Sequence, residues 1–408
     1  MRKKTIGIGD FQIGDDEIQA VHNVLVSQRI TEGIVTRKFE QAFAKYIGTQ
    51  GAVAVNSGSS ALLVAYLTFQ VCGKSKKWVK GKKVITSPLT YVATANAMVL
   101  AGFEPVFVDV DPKRFVITPE NIERAIHEHG ADNIAGIVPV HLMGYACDMD
   151  PIMDIARKHD LFVLEDAAQA HGSLYKGKCL GTYGDAAIFS FYIAHNIQAG
   201  EMGAIVSNDQ SFLKLVKQMK ANGRLCDCFV CTRSKGTCPN VDANPDSDND
   251  PRFMHRFISG NFKTMDLVTA LALTQVGKAD AIFKKRSETV KYLNEKLASL
   301  EPMISLPPYS PEVSYLAYPL VVNDSSAINR KAIRRLLEEQ GIENRPLFGS
   351  IPSQQPAYEY LKSAYAGKLP NADYLGTHAL YIGCHQYLTQ EDIDYIVAIF
   401  KKLPLTRK

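Results

Sequence analysis

The run Leu161-Phe162-Val163-Leu164-Glu165-Asp166 constrains the fold more than any other stretch, because four apolar residues in succession end in two carboxylates. A strand with one wet face would alternate. An unbroken apolar run of this length fits a strand covered on both faces, as in a parallel sheet with helices on either side. Its acidic end lies where open α/β sheets collect ligands. Similar strands are expected at Ala52–Val55, Lys83–Thr86, Pro105–Val110, Ile134–Val140 and Ala186–Phe189. Helical patterns lie between and around them. They include Ile18, Val21, Val24 and Leu25, then Phe39 to Phe43, Ala61 to Phe69, Phe212 to Asn222, and a long helix from Asp266 toward Lys285. The expected fold class is α/β, with a large domain over residues 1–286 built on a mostly parallel sheet.

From Ser287 onward the pattern changes. Amphipathic helices at Val290–Leu300, Arg330–Gln340 and Glu391–Lys402 alternate with strands such as Tyr315–Val322. This reads as a smaller α+β domain over 287–408, joined without a low-complexity linker. The net charge of +4 is small for 408 residues, and no basic stripe interleaves with aromatics, so nucleic acid is not an expected partner. The basic start Met1-Arg2-Lys3-Lys4 leads into no apolar leader, and no run reaches membrane-spanning length. A cytoplasmic protein is expected.

Two local features carry chemistry. Asn56-Ser57-Gly58-Ser59-Ser60 joins a strand to a helix. Small and hydroxyl residues at a helix N-terminus suit an anion such as phosphate, although a plain helix cap reads the same way. Cys226, Cys228, Cys231 and Cys238 lie within thirteen residues. Such a cluster in a reducing compartment points to a metal, either zinc or an iron–sulfur cluster, and the spacing alone does not name it. Cys72, Cys147, Cys179 and Cys384 are scattered and read as small buried side chains.

The segment Ser190-Phe191-Tyr192-Ile193-Ala194-His195, followed by Gly200-Glu201-Met202-Gly203, resembles the active-site region of the DegT/DnrJ/EryC1/StrS sugar aminotransferases. So do Glu32-Gly33, Asp166-Ala167-Ala168-Gln169 and Ser259-Gly260-Asn261, in the same order along essentially the whole chain. The resemblance implies the aspartate-aminotransferase-like fold (fold type I), pyridoxal 5'-phosphate or pyridoxamine 5'-phosphate as coenzyme, and a homodimer with shared active sites. It assigns the coenzyme phosphate to Gly58, Ser59 and Ser190, with Asn261 reaching across from the partner subunit. Tyr91 would stack on the pyridine ring, Gln169 would face it, and Asp166 would pair with its nitrogen. His141 is read as structural or near the mouth of the pocket, and His171 as structural.

The chain departs from the family at two places. Met202 stands where the usual Gly-Glu-Gly-Gly has glycine, and His195 stands where a lysine normally tethers the coenzyme. Histidine cannot make that link, but it can move protons near neutral pH. This exchange resembles the histidine-bearing branch, the NDP-4-keto-6-deoxyhexose 3-dehydratases. It implies a nucleotide-sugar substrate, His195 as general base, and C3 dehydration. One group in that branch carries an iron–sulfur cluster and works with a flavin or iron–sulfur reductase. Cys226 and Cys228 match its Cys-x-Cys pair, whereas Ala167 and Ala168 stand where another ligand is expected; Cys231 and Cys238 would complete the set. A 2Fe–2S cluster is the first choice, with 4Fe–4S or zinc as alternatives. Two rival readings are a sugar aminotransferase with an atypical histidine and a non-catalytic regulator on the same fold.

Overall fold

The computed structural model describes residues 5–226, 228 and 253–403. Two helices open the chain, α1 (Asp15–Val26) and α2 (Ile34–Ile47). Alternating strands and helices follow: β1 (Gly51–Val55), α3 (Gly58–Val71), β2 (Lys83–Thr86), α4 (Ala93–Leu100), β3 (Glu104–Phe107), α5 (Pro119–His129), β4 (Ile134–Val138), α6 (Met149–His159) and β5 (Phe162–Asp166). A short hairpin, β6 (Leu174–Tyr175) and β7 (Lys178–Cys179), precedes β8 (Ala186–Ser190), β9 (Gly203–Ser207) and α7 (Gln210–Met219).

Among the described residues, seven strands form the main sheet in the order β1-β9-β8-β5-β4-β2-β3. The pairings from β8 through β5, β4 and β2 to β3 are parallel. Only β9 opposes its neighbours, β1 and β8. All five residues of β5 are buried, as its sequence requires. The pleat sends successive side chains to opposite faces. Phe162 and Leu164 join the core under α3, α4 and α7, where Phe162 stacks on Phe69 with ring centroids 4.4 Å apart. Val163 faces the other layer, with Phe39 and Phe43 of α2, Ile122 of α5 and Ile152 of α6.

The longest helix, α8 (Asp266–Leu297), runs 32 residues along that second layer. Its sequence suggests an end near Lys285 and a fresh helix from Val290. Instead it continues through position 286 to Leu297, followed by a 3-10 turn at Ala298–Leu300. Residues 278–297 contain no proline or glycine, and Ile282, Arg286, Val290, Leu293 and Leu297 keep one buried face. The remaining elements are β10 (Ile304–Ser305), β11 (Tyr318–Val322), α9 (Arg330–Glu339), β12 (Asn344–Pro346), α10 (Pro370–His378), β13 (Ala379–Ile382) and α11 (Gln390–Lys401). Their strands form an antiparallel sheet in the order β10-β11-β13-β12. Asp109, beyond β3, ties the two parts together by accepting the N–H groups of Asn371 and Ala372 at the start of α10, at 3.0 and 2.9 Å. Cys147 and Cys384 are buried as expected, whereas Cys72 and Cys179 are only half-buried. No helix among the described residues is long and apolar enough to cross a membrane.

The buried carboxylate of Asp266 starts α8 and also caps α2. It accepts the N–H groups of Gly33 (2.8 Å), Val35 (3.2 Å) and Thr36 (3.0 Å), and the Thr36 hydroxyl (2.6 Å). Asp266→Ala strands these donors at a helix N-terminus and is expected to cost about 3 kcal/mol. Urea denaturation measures this loss, and Asp266→Asn should recover part of it.

Candidate active site

The C-terminal ends of β1, β2, β4, β5 and β8 lie along one edge of the sheet, because these strands run the same way. Most of the coenzyme-site residues expected from the sequence lie at or shortly beyond one of those ends. Ser57, Gly58 and Ser59 follow β1, Tyr91 follows β2, and His141 follows β4. Asp166 ends β5, and Ser190 ends β8. They surround a cavity of about 560 Å³, which Gln169, His195 and Glu201 also line.

At one end of the cavity the N-terminus of α3 meets the end of β8. Ser57 caps the helix, its hydroxyl accepting the N–H of Ser60 at 3.1 Å. A Cβ at residue 58 would lie 2.6 Å from the Cβ of Ser190, so only glycine permits this approach. The expected phosphate residues of one chain are therefore side by side, at a helix N-terminus that favours an anion. Asn261 is different: it is exposed, its Oδ1 accepts the Lys263 N–H at 3.3 Å, and it stands outside this chain's cavity.

Glu165 and Asp166 are adjacent, buried and differently held. Glu165 accepts the N–H groups of Gly181, Tyr183 and Gly184, each at 2.8 Å, and the Nε2–H of His141 at 3.1 Å. These donors outweigh burial and hold its carboxyl below the usual range. Asp166 accepts the Thr94 hydroxyl at 2.7 Å and the Ala168 N–H at 3.2 Å. Here burial wins, and its carboxyl is raised. Asp166 lines the cavity, so a cationic N–H brought there would find a ready acceptor. Gln169 is held by the Met143 N–H at 3.0 Å. Tyr91 is not a core aromatic: it is 60 % exposed, on the cavity wall beside Phe348.

His195 Nδ1 lies 2.9 Å from the carbonyl oxygen of Ser190. A carbonyl only accepts, so Nδ1 carries the hydrogen and Nε2 is the basic atom. Burial lowers the imidazole to about 4; the Ser190 bond opposes this, and the Arg286 charge adds to it. The loop carrying His195 is clamped by Ala199 N–H to Phe191 O and Phe191 N–H to Met202 O, each 2.8 Å. Met202 causes no strain, because the left-handed residue is Gly200 (φ 89°) and Met202 is buried. His171 is buried among Phe43, Phe189 and Phe191.

Among the described residues no lysine lines the cavity. The described residues also hold no group of three or more His, Cys, Asp or Glu able to bind a metal ion. Cys226 and Cys228 are half-buried, and Cys231 and Cys238 lie outside the described residues. Thr90 and Thr94, whose hydroxyls lead to Asp166, are not singled out by the sequence. Their four-residue separation was the available signal.

The mostly parallel sheet, with a phosphate-type cradle and a buried aspartate at its C-terminal edge, has the fold of the pyridoxal-phosphate-dependent aminotransferases, on whose structures the chain superposes. Within it the chain belongs to the DegT/DnrJ/EryC1/StrS aminotransferase family, whose profile matches residues 11–401. It is 32% identical to a dTDP-4-dehydro-2,6-dideoxy-D-glucose 3-dehydratase of Saccharopolyspora spinosa, over 94% of this chain and 83% of the relative. It is 31% identical to a GDP-perosamine synthase of Caulobacter vibrioides, over 88% of each. The solved structure of a His-to-Asn mutant of GDP-4-keto-6-deoxymannose-3-dehydratase with bound GDP-perosamine superposes with a TM-score of 0.84. That match has 25% identity and covers 97% of this chain and 100% of the other. The chain is thus an enzyme of a coenzyme-dependent, sugar-modifying family. The glycine cradle and the buried Asp166 fit pyridoxal or pyridoxamine phosphate.

Two outcomes are expected. Gly58→Ala should weaken binding of pyridoxamine phosphate at least tenfold by calorimetry, because its new methyl meets Ser190. The His195 ring should titrate near pH 4 in NMR spectra of the coenzyme-free protein, below its ordinary value of 6.5. Between those values the unfolded chain binds the extra proton, so the folded state loses stability as pH falls through this window. His195→Asn should remove that part of the slope.

Proposed function

We propose that this protein catalyses C3 dehydration of an NDP-4-keto-6-deoxyhexose with pyridoxamine phosphate as an untethered coenzyme. The observation that carries the reading is His195, with its Nε2 free in a cavity that no described lysine lines. When bound, the coenzyme supplies an amine that condenses with the keto group and a ring that takes up electron density. Gly58, Ser59 and Ser190 grip its phosphate, replacing the covalent anchor that a lysine would give. Asp166 holds the proton on the ring nitrogen, and Gln169 and Tyr91 bracket the ring. His195 Nε2 accepts the proton from the carbon beside the ring and delivers a proton to the departing C3 hydroxyl, which leaves as water. Nδ1, bonded to the Ser190 carbonyl, fixes the orientation of the imidazole throughout.

The proposal includes a homodimer in which Asn261 completes the phosphate site of the partner subunit. It also includes an iron–sulfur cluster on Cys226, Cys228, Cys231 and Cys238, served by a flavin or iron–sulfur reductase and yielding a 3-deoxy-4-keto sugar. The support for the cluster is the grouping of four thiols within thirteen residues.

The test is incubation with pyridoxamine phosphate and nucleotide-linked 4-keto-6-deoxyhexoses, with products read by mass spectrometry. Loss of the C3 oxygen is expected; a 4-amino sugar would instead establish an aminotransferase. His195→Asn should slow turnover by about 10²- to 10⁴-fold. His195→Lys should abolish dehydration and, when incubated with pyridoxal phosphate, yield a coenzyme adduct at position 195 after borohydride reduction. Iron and acid-labile sulfide in anaerobically purified protein would support the cluster; zinc or no metal would remove it from the proposal.

A further inference from the structure

We propose that Thr90 and Thr94 are positioning residues, whose hydroxyls in series hold the Asp166 carboxylate as an anion toward the coenzyme ring nitrogen. This rests on the coenzyme reading above, and the two threonines lie in the wall of the same cavity. Both threonines are buried, at 3 % and 1 % exposure. The Thr94 hydroxyl lies 2.7 Å from Asp166 Oδ2, and the Thr90 hydroxyl lies 2.8 Å from that of Thr94.

A hydroxyl has one hydrogen. When Asp166 is ionised, Thr94 must donate to it, so Thr90 must donate to Thr94. Donors in series polarise one another and strengthen the bond to the anion. The Ala168 N–H holds the other oxygen, Oδ1, at 3.2 Å. Each carboxylate oxygen thus has a donor supplied by the protein, which fixes the plane of the group and leaves its remaining lone pairs for the cavity. No cationic side chain is bonded to Asp166 among the described residues. The nearby imidazole of His141 is committed to Glu165 instead. The two hydroxyls therefore do the work that a cation would otherwise do. Thr94 is itself held in place, as its carbonyl accepts the Tyr66 hydroxyl at 3.4 Å.

The experiment compares two ligands by calorimetry: pyridoxamine phosphate, and its analogue with CH in place of the ring nitrogen. Thr94→Val should weaken the coenzyme about tenfold and leave the analogue unchanged. Thr90→Val should lose about threefold in the same selective way, and Thr94→Ser should restore the wild-type affinity. With ¹⁵N-labelled coenzyme, the ring nitrogen should give a protonated signal in the wild type and move toward the neutral one in Thr94→Val. Equal losses for both ligands would mean that the threonines only fill the core, and would overturn the proposal. Unchanged affinity and an unchanged ¹⁵N signal would also overturn it while leaving the coenzyme reading intact. Failure of the wild type to bind either ligand would overturn both. If Thr94→Val does not fold, Thr90→Val and the ¹⁵N signal carry the same decision.

Discussion

Two adjacent carboxylates at the end of one fully buried strand are the constraint around which this molecule is arranged. A buried carboxylate must be ionised and hydrogen-bonded, or protonated. Glu165 meets this with three backbone N–H groups and His141, and in doing so fixes the chain between Gly181 and Gly184, just before β8. Asp166, one residue on, has fewer donors and opens to the cavity. Glu165 therefore serves the scaffold by positioning the neighbouring strand, and Asp166 is left facing the cavity. The pleat lets neighbouring residues on one strand take separate roles.

Much of this was legible in the sequence because the signals were local. The apolar run before Glu165 predicted a central parallel strand, and Asn56–Ser60 marked the turn from a strand into the start of a helix. His195 was conspicuous through the lysine it replaces. Other features depended on residues distant in the chain. Asp266 as the cap of α2 spans more than two hundred residues, and no periodicity announces it. The course of α8 through position 286 followed from continued burial of one face, whereas the sequence suggested a break. Nothing in the residues around Tyr91 says which way its ring faces, and only the fold brings it to the cavity wall. Thr90 and Thr94 do not stand out in the sequence, because hydroxyls four residues apart usually serve local helix bonds.

The exchange of lysine for histidine alters what the rest of the site must do. A covalent anchor tolerates a loose phosphate grip; a site without one depends on the close contact between α3 and β8, where Gly58 faces Ser190. The bond from His195 Nδ1 to the Ser190 carbonyl couples the two tasks. In the proposed reading, the strand end that would offer its hydroxyl to the phosphate also holds the imidazole of His195 through its carbonyl. A small shift at the end of β8 would therefore disturb binding and proton transfer together, which separates this arrangement from one with an independent catalytic loop.

The pair formed by Thr90 and Thr94 has one more property. Either oxygen can be the donor in their mutual bond. If Asp166 takes up a proton, both O–H bonds can turn round, and the chain of hydrogen bonds remains complete with its direction reversed. The buried aspartate then has a satisfied partner in both of its charge states, with no rearrangement larger than the rotation of two hydroxyls. A pocket wired in this way leaves no buried carboxylate oxygen unpaired on the Thr94 side when it stands empty.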